Sequence, residues 1–441
     1  MTTRKWFGSL AVTVLLVGLI AGCGGGKNAD PAKETNTNTS TSSATASPSE
    51  SESAKPVKLS ILQYSPEMTE AMHRLAEQYN KEHPNVTIDV TIHQDDYPTL
   101  LKTRINSGNI PDIFMTGAYN DNITYRDYAY DLSNESFMND IVDSAKAGVT
   151  LDGKVLGYPL ILQAHSFIYN KKVFADAGIT ELPKTYSQLG AAAEKLKAKG
   201  ITPFGTGYKE WWVLEQTFTQ VMSSMGGDYA ATFAELNEGS KKLSDIPEAM
   251  NIFDLLDLTV KYGDAKPLEN DFNGQVSLFA EGKVAMIHQG TWAEDSIRQI
   301  NPDIDMGFLA GPVGEDPSKA GLMVDSNIVY RVNKDSANLP EVLKFFEWLT
   351  TSDYGKKFIP VENKQISTIK DAPFPDAQLA EATSQYIQNG VTYPWVKGYW
   401  PDGYEQQAGE ILQKYVGGMS SRNEIKADLD TTWTKLANAA K

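Results

Sequence analysis

Three histidines, His73, His83 and His93, recur at every tenth residue, and imidazole is the commonest metal-binding side chain. That interval matches no metal motif, because paired ligands stand three to five residues apart. His165 and His288 are single histidines beside apolar runs, and neither is read as a ligand. The one cysteine, Cys23, forms no internal disulfide and no thiolate cluster. No H-E-x-x-H, phosphate-binding glycine loop or G-x-S-x-G occurs. Among 56 acidic residues, a carboxylate pair of the glycoside-cleaving kind cannot be picked out by spacing. No metal and no cofactor is expected.

The surroundings of Cys23 give that thiol a different chemistry. Arg4 and Lys5 precede an almost wholly apolar run from Trp6 to Ala21. The run is shorter than the roughly 20 residues a spanning helix needs, and it fits a secretory signal. Ile20-Ala21-Gly22-Cys23 resembles a bacterial lipobox, which implies cleavage before Cys23 and a lipid (a diacylglycerol thioether with palmitate-type chains) on its sulfur. Residues 1–22 are then the signal peptide. Residues 23–56, rich in Ser, Thr, Asn and Glu with no large apolar side chain, read as a flexible tether. The expected location is the extracellular face of a cell membrane, lipid-anchored, in a Gram-positive bacterium.

The positioning elements follow the tether. A net charge of −16 argues against a nucleic-acid partner, which calls for a basic patch. From Val57 onward, Leu59 and Ile61 alternate with polar residues as in a strand. Ser65-Pro66 then reads as a cap and first helical position. Met68, Met72, Leu75, Ala76 and Tyr79 share one helical face, Pro84 stops that helix, and Val86 to Ile92 alternate again. A helix at "YPTLLKTRINSG" and an apolar run at "PDIFMTG" follow. Strand–helix–strand alternation of this length implies a parallel sheet covered by helices. Thr185 and Gln188 fit a capping box before a helix ending at Gly200. Residues 205–275 read as mainly helical, "KVAMIHQGTW" as a strand, and "PEVLKFFEWLTT" as an amphipathic helix. The class is α/β in two lobes.

Six blocks carry a resemblance over nearly the whole body: "LAEQYNKEHPNVTIDV", "PDIFMTGAYND", "GKVLGYPLILQAHSFIYNKKVFADAGI" with "LPKTYSQL", "LFAEGKVAMIHQGTWA", "VLKFFEWLTT" and "FIPVENKQIS". In this order the chain resembles the extracellular solute-binding lipoproteins of bacterial ABC sugar importers, the family that includes maltose-binding protein. The resemblance implies a type II periplasmic-binding-protein fold, with hinge-connected lobes around a central ligand cleft. Lobe 1 would comprise residues 57–164 and 324–371, and lobe 2 residues 165–323 and 372–441. It implies a monomer that closes on a carbohydrate, expected to be an oligosaccharide, and passes it unaltered to the membrane subunits of a permease.

A sugar presents hydroxyls to planar polar groups and C–H faces to aromatic rings. Trp348 and Trp433 sit among periodic apolar residues and are assigned to the core. The stacking candidates are Trp211, Trp212, Trp292, Trp395 and Trp400, outside the amphipathic helices. The polar candidates are Gln63 and Tyr64 after the first strand, then Tyr119, Asn120 and Asp121 after "DIFMTGA". Gln163 lies on the first crossing segment, where the resemblance implies an acid. Asp325 and Asn327 lie on the second. A binding protein for a peptide or polyamine, and a surface-tethered glycoside hydrolase, are the alternatives.

Overall fold

The computed structural model describes residues 55–94 and 96–439. The expected signal, Cys23 and all but the last two residues of the expected tether lie outside the described residues. Strand β1 (Val57–Gln63) pairs in parallel with β2 (Val86–Ile92), with Val57 opposite Val86 and Gln63 opposite Ile92. The connecting helix, Thr69–Glu82, buries Ala71, Met72, Leu75 and Tyr79 against the sheet. Its start differs from expectation. Pro66–Met68 forms a 3₁₀ turn that closes on the Ser65 carbonyl, so the Ser65 side chain makes no cap and approaches Met115 Sδ at 3.8 Å instead.

β3 (Ile113–Thr116) lies on the other side of β1, also parallel. A separate hairpin joins β4 (Thr150–Leu151) and β5 (Lys154–Val155). The long β6 (Tyr158–Asn170) follows, then β7 (Thr202–Gly205), β8 (Val284–Gly290), β9 (Met306–Leu309) and β10 (Leu322–Val332). Two-residue strands β11 (Ile366–Ser367) and β12 (Thr392–Tyr393) complete the set. The main sheet runs β2-β1-β3-β10-β6-β8-β7, with β11 and β9 on β6 and β12 on β10.

Before the helix Tyr186–Ala198, Thr185 Oγ accepts the Gln188 backbone N–H at 3.2 Å. The reciprocal half of the expected capping box is shifted by one residue. The Gln188 side chain accepts from Lys184 N at 2.8 Å, because the extended backbone entering the helix brings that donor nearer. Between β7 and β8 the chain is helical at Trp211–Ser223, Tyr229–Glu238, Asn251–Lys261 and Phe272–Ala280, as its pattern indicated.

Two large hydrophobic cores share this sheet. The first gathers Leu59, Ile61, Met72, Leu75, Phe114, Phe345 and Trp348 with Tyr158 and Ile161 of β6 and Ile328 and Tyr330 of β10. The second gathers Phe167 at the far end of β6 with Phe204, Leu214, Phe218, Leu256, Leu412 and Trp433. β6 and β10 are antiparallel. β6 runs from the first core, at Tyr158 and Ile161, to the second, at Phe167. β10 joins the first core, at Ile328 and Tyr330, to a smaller third cluster that holds Leu322. Their register shifts between Asp325 and Ile328, a bulge that locally bends the strand. Among the described residues no helix is long and apolar enough to cross a membrane.

Candidate ligand-binding site

A cavity of about 270 Å³ opens between the two cores, beside β6 and β10. Tyr64, Glu67, Asp121 and Gln163 line it from the first side, and Trp211, Trp212, Glu215, Trp292, Trp395, Lys397 and Glu405 from the second. The volume lies near the lower end of small-molecule sites.

Each wall follows from local sequence. In "QGTW", Gly290 ends β8 and Trp292 starts the helix Ala293–Ile300. A Cβ on Gly290 would come within 2.0 Å of the Trp292 ring, so only glycine lets the indole fold back over its own strand. The ring lies parallel to His165, with centroids 5.6 Å apart and planes 14° apart, and Nε1 donates to Gln289 at 2.9 Å. Trp395 is 2 % exposed, tilted against Trp292 at 6.1 Å. In "WWVLEQ", four-residue helical spacing puts Trp211 with Glu215, and Trp212 with Gln216, on neighbouring turns of one face. All four line the cavity.

Three polar atoms on this wall have no hydrogen-bond partner among the described residues: Trp212 Nε1, Gln216 Oε1 and Trp395 Nε1. Buried donors and acceptors are nearly always satisfied in folded proteins, yet these two indole N–H donors and this amide oxygen stand together at one cavity without a protein partner. The ionic groups are tightly arranged. Lys397 Nζ stands 3.4 Å from Glu215 and 3.1 Å from Glu405, and the two carboxylates keep the buried ammonium charged. Burial pushes Glu215 up, while Lys397 and the Thr219 hydroxyl pull it back. Burial pushes Asp121 up to about 6 against the opposing pull of Arg331. Glu67 lines the cavity with part of its surface exposed, and the protein around its carboxyl raises it to about 7 by desolvation.

Asp121 is held by the loop that follows β3. Arg331, wholly buried, donates to Thr116 Oγ1 at 2.7 Å, to the Leu156 carbonyl at 2.9 Å, and to the Gly117 carbonyl and Asn122 Oδ1 at 3.0 Å each. Asp121 in turn accepts the Gly117 N–H at 2.7 Å. The loop is therefore fixed from behind by a guanidinium whose donors face backbone and amide rather than the cavity.

Of the other sequence candidates, Gln63, Tyr119, Asn120, Asp325 and Trp400 are not among the residues that line the cavity. Gln63 is fully buried and accepts the Tyr330 hydroxyl at 2.5 Å. Tyr119 has φ 55°, donates to Asp325 at 2.6 Å and stacks on Tyr399 at 5.4 Å. Asn120 donates to the Trp400 carbonyl at 2.8 Å. Asp325 sits at the bulge and also accepts from Ser326 N at 2.7 Å. Asn327 lies on β10. Trp400 is packed among Phe218, Tyr404 and Trp433, away from the cavity lining. Sequence reasoning did not single out Lys397, Glu215, Gln216, Glu67 or Glu405. The helical offset from the Trp211-Trp212 pair was a usable signal for Glu215 and Gln216. His165 and His288 are buried together, ring centroids 4.3 Å apart, and desolvation pushes both below the ordinary histidine range, so both are neutral at pH 7.

A cavity between two cores joined by a shared strand is the architecture of proteins that enclose a small solute, and solved structures bear out the fold. The chain is similar to RafE in complex with raffinose, with TM-score 0.74 and 21% identity over 86% of this chain and 99% of that one. It is equally similar to a sugar transporter of Bacillus licheniformis in complex with stachyose, with TM-score 0.75 and 19% identity over 86% and 100% of the two chains. The model for bacterial extracellular solute-binding proteins matches residues 65–356, and the chain belongs to that family. Its relatives include the multiple sugar-binding protein of Streptococcus mutans, 23% identical over 85% of this chain and 92% of the relative. Another is the melibiose/raffinose/stachyose-binding protein MelE of Bacillus subtilis, 23% identical over 87% and 86%.

Proposed function

We propose that this chain is the substrate-binding lipoprotein of an ABC importer, holding a carbohydrate between its lobes and delivering it unaltered to the permease subunits in the membrane. The observation that carries the reading is one cavity combining indole faces, unpartnered indole N–H donors and carboxylate acceptors. Apolar ring faces suit the C–H surface of a pyranose, and carboxylates accept its hydroxyls by charge-assisted hydrogen bonds. The lobes are those of the sequence, 57–164 with 324–371 and 165–323 with 372–441. β6 and β10 serve as the crossing segments, and the anchor is a lipid on Cys23. No covalent step is part of the function.

A thermal-shift screen against mono- and oligosaccharides tests this, since a ligand at a hundred times its Kd stabilises by about 2.7 kcal/mol. Chromatography of the same mixtures should return every sugar intact. Stabilisation by peptides or spermidine but by no saccharide would sink the reading, as would released hydrolysis products.

The carboxylates also set a pH dependence. Asp121 and Glu67, raised to about 6 and about 7, lose their charge as pH falls through that range, and with it their strength as acceptors. Sugar affinity is expected to fall about tenfold between pH 7.5 and 5, the worth of one charge-assisted hydrogen bond. The unliganded protein follows the opposite sign. Its folded carboxylates hold protons that the unfolded chain has already released, so stability declines as pH rises from about 4 to 7. Calorimetric titrations and melting curves across this range check both slopes.

A further inference from the structure

The cavity wall carries a marked imbalance of charge. Among the described residues, Glu67, Asp121, Glu215, Asp402 and Glu405 line it, against the single ammonium of Lys397. That ammonium is already engaged by Glu215 and Glu405. The nearest other cations face elsewhere. Four of the five Arg331 N–H donors are taken by Thr116, Leu156, Gly117 and Asn122, and Lys102 at the rim pairs with Asp402 at 2.7 Å. The two histidines behind the indoles carry no charge. The groups left for a guest at this wall are an amide oxygen, two indole N–H donors and carboxylate oxygens. Trp395, one of the two indoles, is 2 % exposed, so its donor is a built feature of the wall and not a surface accident.

We propose, resting on the carbohydrate reading above, that the cavity selects its saccharide by charge, accepting neutral and amino sugars and rejecting those that carry a carboxylate, phosphate or sulfate, with Glu67 and Asp121 as the specificity-determining residues. An anionic ring would find no unpaired cation, and its charge would be drawn out of water beside carboxylates. Like charges held together in a partly dry site disfavour each other strongly, and specificity built from repulsion is a common device. A neutral ring meets only acceptors and donors that its hydroxyls satisfy. A protonated amine gains a counter-charge, which Glu67 supplies with no cation within salt-bridge distance among the described residues.

The test is isothermal titration with matched disaccharides in the gluco and galacto series. Each is measured as the neutral sugar, as its 6-uronate and as its 2-amino form, in 0.05 M and 0.5 M salt. In whichever series the neutral member binds, the uronate should bind at least tenfold more weakly in low salt and the amino sugar at least as tightly. The gap should narrow in high salt, because screening weakens charge repulsion and leaves a steric clash untouched. Glu67→Gln and Asp121→Asn should each shrink the neutral-to-uronate ratio. A uronate that binds within threefold of its neutral partner overturns the proposal, as does a gap that salt and both variants leave unchanged. If no member of any series binds, the carbohydrate reading itself falls and charge selection falls with it.

Discussion

Replacing Trp292 with alanine weakens sugar binding by about 1–3 kcal/mol, roughly five- to 150-fold, the loss typical of an aromatic anchor. The expectation rests on where the ring stands. It is stacked on His165, tied by Nε1 to Gln289, and presents its outer side to the cavity. The fold should survive, since the ring is half-buried and the strand beneath it is intact. Trp292→Phe should keep much of the affinity because a flat face remains. Gly290→Ala makes the sharper test. It leaves the indole in the chain but puts a methyl group where the ring lies, and it should lose affinity comparably to Trp292→Ala. Calorimetry on the three variants decides the matter, and an unchanged affinity in Trp292→Ala removes this residue from the site.

The largest stability effect is expected at Lys397. Its ammonium compensates Glu215, whose side chain is 1% exposed. Lys397→Met leaves that carboxyl buried without a counter-charge, and breaking such a pair from one side costs about 3–5 kcal/mol. Glu215 can escape by taking up a proton, so the deficit should be greater at pH 8 than at pH 5. Adding Glu215→Gln to Lys397→Met should recover most of the loss, because the neutral amide requires no cation and keeps its Thr219 partner. Urea denaturation of the single and double variants at the two pH values reads all of this. A single variant as stable as the parent at pH 8 would show that the pair does not bear on the fold.

Much of the architecture was legible because period and punctuation agree. β1, the helix Thr69–Glu82 and β2 stand where alternation, a one-faced apolar stripe and Pro84 put them. Trp348 and Trp433 proved to be core residues, as their helical neighbours indicated. The site was legible only in part, since sequence marks which residue types are suited to a guest and not where a loop aims them. Seven of the candidates, Tyr64, Asp121, Gln163, Trp211, Trp212, Trp292 and Trp395, line the cavity. Trp400 stands five residues from Trp395, but the 3₁₀ turn Val396–Tyr399 between them directs it into the second core. Tyr119 and Asn120 border Asp121 in sequence and still face the 399–400 segment, because the left-handed backbone at Tyr119 turns the chain there. Lys397 escaped notice because a lysine in a loop normally reads as solvated, and only tertiary packing brings Glu215 and Glu405 to it.

Because β6 threads both cores and β10 returns to the first, neither core is built from continuous chain. The first needs residues up to Ile161 and then waits for Ile328 to Ile369. At ribosomal speed that wait lasts roughly ten to thirty seconds. Closing so distant a contact is also intrinsically slow once the residues exist. A newly made molecule therefore keeps its first core open long after its first strands have left the ribosome.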